Sequence, residues 1–269
     1  MKRIFIFGLG YTASRIAQAM TARGWDVVST GRAGSLAFND TAGIRAALAE
    51  SGHVLSSVPP GRSATGAELD PVLDPVLDPV LANFGDALAG RWLGYLSSTG
   101  VYGDCGGAWV DESAPTGTGR RSARAEADAA WLTRGARVLR LPGIYGPGRS
   151  AFERVRAGNA HRIDLPDQVF SRVHVDDIVA GTLLALEAPS GAFNLADDLP
   201  CSQNMVIEEA CRLAGAALPP LLALDDAGLS PMARGFYAEN RRVANGKAKR
   251  VMGWRPSYPT FRQGLRALL

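Results

Sequence analysis

The chain has 269 residues, 46% of them hydrophobic, enough to bury a substantial core as one domain or as a large domain with a smaller one. No apolar run approaches the ~18 residues of a membrane span, and a net charge of +3 without a long basic stripe excludes a nucleic-acid footprint. Cys105, Cys201 and Cys211 are widely spaced without CxxC, and His53, His161 and His174 are scattered, so reduced cytoplasmic thiols and no metal site are expected.

The first stretch, KRIFIFGLGYTASRIAQAMTARG, reads as strand, glycine turn and helix. Because the first strand begins at once, no signal peptide is expected. Ile4 to Phe7 form a short apolar run. Ile16, Ala17 and Met20 then recur at helical spacing until Gly24. Between them, Gly8, Gly10 and Ala13 meet the needs of a dinucleotide turn: a tight bend, close backbone approach to a pyrophosphate, and close helix packing. Tyr11, Thr12 and Ala13 open the helix, whose N–H groups and positive dipole end suit phosphate.

Asp26 to Thr30 reads as a second strand, parallel to the first. At its end an NAD site would place a carboxylate on the ribose; here stand Thr30, Gly31 and Arg32. A guanidinium accepts a 2′-phosphate in a fork, so NADP(H) is favoured over NAD(H), with a solvated turn arginine as the alternative.

Ser35 to Phe38 is a weak third strand, followed by Asn39 and Asp40 as adenine contacts. A crossover helix starts at Ile44 to Leu48. His53 to Val58 is a fourth strand, and its carboxyl end, with Ser56 and Ser57, would face the cofactor. The tetrapeptide Asp-Pro-Val-Leu then occurs three times from Asp70 to Leu81, and its prolines obstruct a regular helix until Leu81 to Leu88.

Trp92 to Leu96 is the fifth strand, running into the polar cluster Ser97 to Asp104. Ala123 to Trp131 is helical. Arg137 to Leu141 is a sixth strand leading into Pro142-Gly143-Ile144-Tyr145-Gly146-Pro147-Gly148, a structured loop and crossover. Beyond it the strand-helix rhythm fades, with returns at residues 173–186 and 192–195. The predicted fold is α/β: a doubly wound parallel Rossmann sheet over residues 1–147 and 173–195, with a smaller substrate lobe over 148–172 and 196–269.

Together, GLGYTASRIA, SSTGVYGD, RLPGIYGPG, RVHVDDIVAG, GAFNLADD and MGWRPSYPTFRQGL, in that order, resemble the extended short-chain dehydrogenase/reductase superfamily, in its NAD(P)-dependent epimerase/dehydratase group. The resemblance implies Ser98 as the residue that hydrogen-bonds the substrate oxygen. It also implies Pro142, Gly143 and Ile144 as the loop that holds the nicotinamide carboxamide, and Asp176 and Asp177 as a pair that ties the lobes together, with His174 a satisfied interface histidine.

One departure bears on mechanism. The family's proton relay is Tyr-x-x-x-Lys, but no tyrosine lies between Gly103 and Ile144, and the chain's lysines are Lys2, Lys247 and Lys249 alone. The expected place holds Arg120 and Arg124, which suit an anionic substrate or the nicotinamide ribose, or form a solvated helix face. Arginine stays charged and does not replace the proton donor. Thr99 and Tyr102, with Tyr145, are the remaining candidates to polarise a substrate oxygen. The carboxyl-terminal basic group, Arg234, Arg241, Arg242, Lys247, Lys249 and Arg250, matches a region where sugar-nucleotide members clamp a diphosphate, or is an ordinary basic surface.

The expected function is oxidation-reduction or isomerisation of a small polar, nucleotide-sugar or other anionic substrate by a protein that binds neither nucleic acid nor membrane, a homodimer being allowed. The alternative is a non-catalytic NADP(H) sensor.

Overall fold

The computed structural model describes residues 2–61, 78–118 and 122–269. The repeats at residues 70–77 and Arg120 lie outside them. In chain order the elements are β1 (Arg3–Phe7), α1 (Tyr11–Thr21), β2 (Asp26–Ser29), α2 (Thr41–Ala49), β3 (His53–Ser56), α3 (Pro79–Phe84), β4 (Trp92–Ser98), β5 (Trp109–Val110), α4 (Ser122–Thr133), β6 (Arg137–Leu141), β7 (Gly143–Tyr145), α5 (Ala151–Arg156), β8 (Arg162–Ile163), β9 (Arg172–His174), α6 (Val175–Ala185), β10 (Gly191–Asn194), α7 (Gln203–Ala214), β11 (Leu221–Leu222), α8 (Pro231–Tyr237), β12 (Arg242–Val243), α9 (Gly246–Val251) and α10 (Phe261–Arg266).

Six parallel strands form the central sheet in the order β10-β6-β4-β3-β1-β2. The sheet is buried on both faces, as period-two alternation along β1 makes plain. Ile4 and Ile6 pack with Ile16 and Met20 of α1 and Ile178 of α6 on one face. Phe5 and Phe7 pack with Ile44 and Leu48 of α2, Phe84 of α3 and Trp131 of α4 on the other. The doubly wound prediction therefore holds. The weak third strand does not: Ser35 to Phe38 contributes only an isolated bridge from Leu36 to Thr30. Asp40 instead caps α2, its Oδ1 accepting from Gly43 N at 2.9 Å. The helix expected over Leu81–Leu88 is split, with α3 starting at Pro79 and a 3-10 turn covering Gly85–Leu88. Asp78 caps α3 and also accepts the Trp131 indole N–H at 3.0 Å, tying α3 to α4.

Order reversal between β1 and β3 creates a crevice at the carboxyl edge of the sheet, the place where open α/β sheets bind ligands. The pair β7–β9 leads from that edge into a separate cluster built from Phe152 of α5, Val206, Ile207 and Cys211 of α7, and Phe261 and Leu265 of α10. Asp177 fastens this region to the sheet: its carboxylate accepts the N–H groups of Ser257 at 2.6 Å and Tyr258 at 3.1 Å. Asp176, its neighbour, is exposed. Among the described residues, no helix is long and apolar enough to cross a membrane.

Candidate functional site

The glycine turn is pinned from β2. Thr30 Oγ1 accepts the Gly8 N–H at 3.0 Å and Thr30 O accepts the Leu9 N–H at 2.8 Å. Gly8 has φ +82°, and a Cβ there would stand 3.0 Å from Ser57 Oγ. Gly31 has φ +126°, and a Cβ on it would stand 2.9 Å from Leu9 N. Both positions require glycine. Ser57 Oγ closes the turn by donating to Gly8 O.

Gly10 is different. It is the N-cap of α1, no side chain caps the helix, and a Cβ built on Gly10 meets nothing of the protein within 4 Å. The free space in front of an uncapped helix end is what a pyrophosphate would take up, so these residues fit a dinucleotide.

This helix end opens into a cavity of about 940 Å³. Gly10 to Ala13, Ser57, Ser98, Thr99 and Pro142 to Ile144 all line it, so one space brings together most of the residues named from the sequence. Ser98 Oγ accepts the Gly100 N–H at 3.1 Å, which orients the hydroxyl as β4 ends. Arg124 enters from α4, Nη1 donating to the Tyr95 hydroxyl at 2.8 Å.

Four residues named from the sequence, Thr30, Ser56, Tyr102 and His174, lie outside the cavity lining. Tyr102 is 1% exposed and does not line the cavity. Its hydroxyl donates to Asn194 Oδ1 at 2.8 Å and accepts from Arg140 Nη1 at 3.0 Å. Arg140 is in turn held by Asp128 at 2.7 and 3.1 Å, and Ser97 donates to the same carboxylate at 2.6 Å. These bonds hold the Tyr102 hydroxyl inside the fold, and burial pushes the phenol up against the pull of Arg140. Thr30 spends its hydroxyl on the turn, and Ser56 is fully buried while its neighbour Ser57 faces the cavity. His174 is only half satisfied: Nδ1 accepts the Asp176 N–H at 3.2 Å, Nε2 has no partner among the described residues, and burial lowers its pKa.

Tyr145 lines the cavity wall, but its hydroxyl is buried without a partner among the described residues, and burial raises its pKa strongly. Nearby, Asp197 is 2% exposed and pushed up to about 7 by burial, with Arg172 opposing. Arg32 is exposed at the end of β2, beyond the residues that line the cavity.

Sequence reasoning missed the far half of the cavity, where Arg154, Phe170, Tyr237 and Glu239 stand. One signal was legible: Ser150 to Glu153 is a capping box, and it starts the helix that carries Arg154. The basic group near the carboxyl terminus is dispersed. Arg234 pairs with Asp225 and Lys249 with Asp198, Arg242 donates to Gly107 O, and within that group only Arg241 lines the cavity.

Fold and crevice are those of a doubly wound α/β protein of the Rossmann type. A human epimerase family protein, SDR39U1, with NADPH superposes with a TM-score of 0.75 at 17% identity, covering 99% of this chain and 98% of that one. UDP-glucose 4-epimerase of Thermus thermophilus with NAD superposes with a TM-score of 0.74 at 21% identity over 99% and 98%. The chain belongs to one family with a conserved protein of unknown function from Silicibacter pomeroyi, 38% identical over 100% of this chain and 98% of that one, TM-score 0.84. A 3-diazoavenalumate denitrifying reductase from Streptomyces sp is 32% identical over 143 residues, which is 48% of this chain and 45% of that protein. The match thus spans less than half the length of that curated relative. No family model matches the chain.

Proposed function

We propose that the protein is a nicotinamide-dependent oxidoreductase of the epimerase/dehydratase type that prefers NADP(H) and acts on a small polar substrate without the tyrosine-lysine relay. The observation that carries this reading is the single cavity running from the uncapped end of α1, past Ser98 and Ile144, toward α5 and α8. Residues 148–172 and 196–269 then serve as the substrate lobe.

When bound, the dinucleotide would exchange a hydride at its nicotinamide. The chain's own residues account for the rest. The first amides of α1 would take the pyrophosphate, Arg32 the 2′-phosphate, Arg124 the nicotinamide ribose, and Gly143 and Ile144 the carboxamide. Ser98 and Thr99 would donate hydrogen bonds to the reacting oxygen. Neither is a base strong enough to strip a hydroxyl proton at neutral pH, the step with which oxidation of an alcohol begins. The lack of such a group slows both directions of a reversible step alike, so reduction, with water supplying the proton, is read from the name of the Streptomyces relative, a reductase.

The locked Tyr102 favours a second reading, a sensor that binds NADP(H) without turnover and reports to a partner protein. Titration of the purified protein with NADPH and NADH, followed by NADPH oxidation over a panel of carbonyl compounds and aryl electrophiles, separates the two. Turnover on any member refutes the sensor. Tight NADPH binding with no turnover refutes the enzyme, and no binding of either cofactor refutes both.

A further inference from the structure

The half of the cavity away from α1 has a charge pattern of its own. Arg172 lines it but is engaged by backbone carbonyls, donating to Phe170 O at 2.9 Å and Cys201 O at 3.1 Å, and by Gln203 Oε1 at 3.2 Å. Arg241 donates to Gly103 O at 2.6 Å and pairs with Glu239 at 3.0 Å. Arg154 lines the same space, and among the described residues its guanidinium makes no hydrogen bond or ion pair. Glu153 beside it in sequence is turned back on its own cap, accepting the Ser150 N–H at 2.6 Å. The protein around Arg154 desolvates it and lowers its pKa, although its side chain is open to the cavity. A cation in that setting gains most from an anion brought by a ligand.

The walls beside it are apolar and aromatic. Phe170 and Tyr237 meet edge to face, centroids 5.4 Å apart at 89°, and Val206, Leu229 and Phe261 complete the surface. Such a wall takes a flat apolar body. Among the described residues that line this half, Arg154 is the guanidinium left uncommitted, and it balances one negative charge, whereas Arg149 lies over the Tyr11 ring at the α1 end. A diphosphate would ask for more, and Arg241, Arg242, Arg234 and Lys249 are all engaged elsewhere.

We propose that this half of the cavity is a subsite for an aryl monocarboxylate, the carboxylate on Arg154 and the ring against Phe170 and Tyr237, with the reducible group directed toward Ser98. The assignment of the substrate class rests on the reading of the cavity as the active cleft, whereas the subsite itself is tested without cofactor chemistry.

The probes are trans-cinnamate, its neutral isostere cinnamamide, and UDP-glucose, titrated calorimetrically into the protein with and without saturating NADPH. Cinnamate is expected to bind about tenfold or more tightly than cinnamamide, as one charge-assisted fork implies. Arg154→Ala brings cinnamate down to the affinity of cinnamamide, leaves cinnamamide and NADPH affinities unchanged, and keeps the thermal midpoint, because Arg154 holds no structural bond among the described residues. Arg154→Lys keeps part of the preference. Equal binding of cinnamate and cinnamamide, no binding of cinnamate, no effect of Arg154→Ala, or UDP-glucose binding tighter than cinnamate each overturns the proposal. If NADPH fails to bind while the Arg154-dependent preference persists, the cofactor reading falls and the subsite stands.

Discussion

Replacing Tyr102 by Phe tests whether the tyrosine of the SSTGVYG stretch is part of the framework or of the chemistry. The substitution keeps the ring, which is buried with Val101, Val110 and Val243, and removes one hydroxyl. Asn194 Oδ1 then loses its donor and Arg140 Nη1 its acceptor, both in residues no more than 3% exposed. A buried polar group left unpaired costs about 1–3 kcal/mol. Arg140 keeps both bonds to Asp128, so its share lies at the low end, and the two together come to about 2–4 kcal/mol. At about 2–4 °C per kcal/mol for a chain of this size, the thermal midpoint should fall by roughly 4–16 °C. NADPH affinity of the folded variant should stay within about twofold of the parent, since Tyr102 does not line the cavity. Thermal and urea unfolding followed by circular dichroism, with an NADPH titration at low temperature, measure both quantities. An unchanged midpoint combined with lost NADPH binding or turnover would place Tyr102 in the site and refute the assignment.

Three further outcomes are expected. Gly10→Ala should leave stability within about 0.5 kcal/mol, because its Cβ meets no protein atom, yet should weaken NADPH about tenfold or more by filling the pyrophosphate space; unaltered NADPH affinity would show that the helix end is not the cradle. Arg32→Ala should weaken NADPH by about 1.5–3 kcal/mol while sparing NADH, and equal weakening of both would remove Arg32 from the phosphate role. Asp197 has its pKa raised to about 7 in the folded chain, against about 4 unfolded, so the folded chain holds a proton that the unfolded chain releases. Its contribution is present below about pH 4 and lost as pH rises through about 7, so Asp197→Asn should gain on the parent by about 2–4 kcal/mol between those values. Parallel stability curves for variant and parent would contradict that.

Much of the sheet was legible because its signal is local. Alternation of Ile and Phe along β1 encodes two buried faces, and Gly8 and Gly10 sit where a strand must turn into a helix. The third strand was misread for a related reason. Ser35 to Phe38 carries some strand propensity, but Asp40 captures the backbone as the N-cap of α2, leaving one bridge. Ser98, Ile144 and the start of α1 were individually readable, though their meeting in one cavity was not.

What the chain order alone determined is the parallel sheet, the uncapped glycine entry to α1, and the absence of a tyrosine-lysine relay, all of which depend on neighbours within a few residues or on which residues exist at all. Only the tertiary structure decided what the polar side chains do. Tyr102 is turned inward by Arg140 and Asn194, 38 and 92 residues away. Arg241 is spent on Gly103 O, 138 residues away, and Arg154 is left without a partner among the described residues. Hydrogen bonds satisfy buried groups wherever the fold brings donors and acceptors together, so which cation remains for a ligand is settled by long-range packing and cannot be read from spacing.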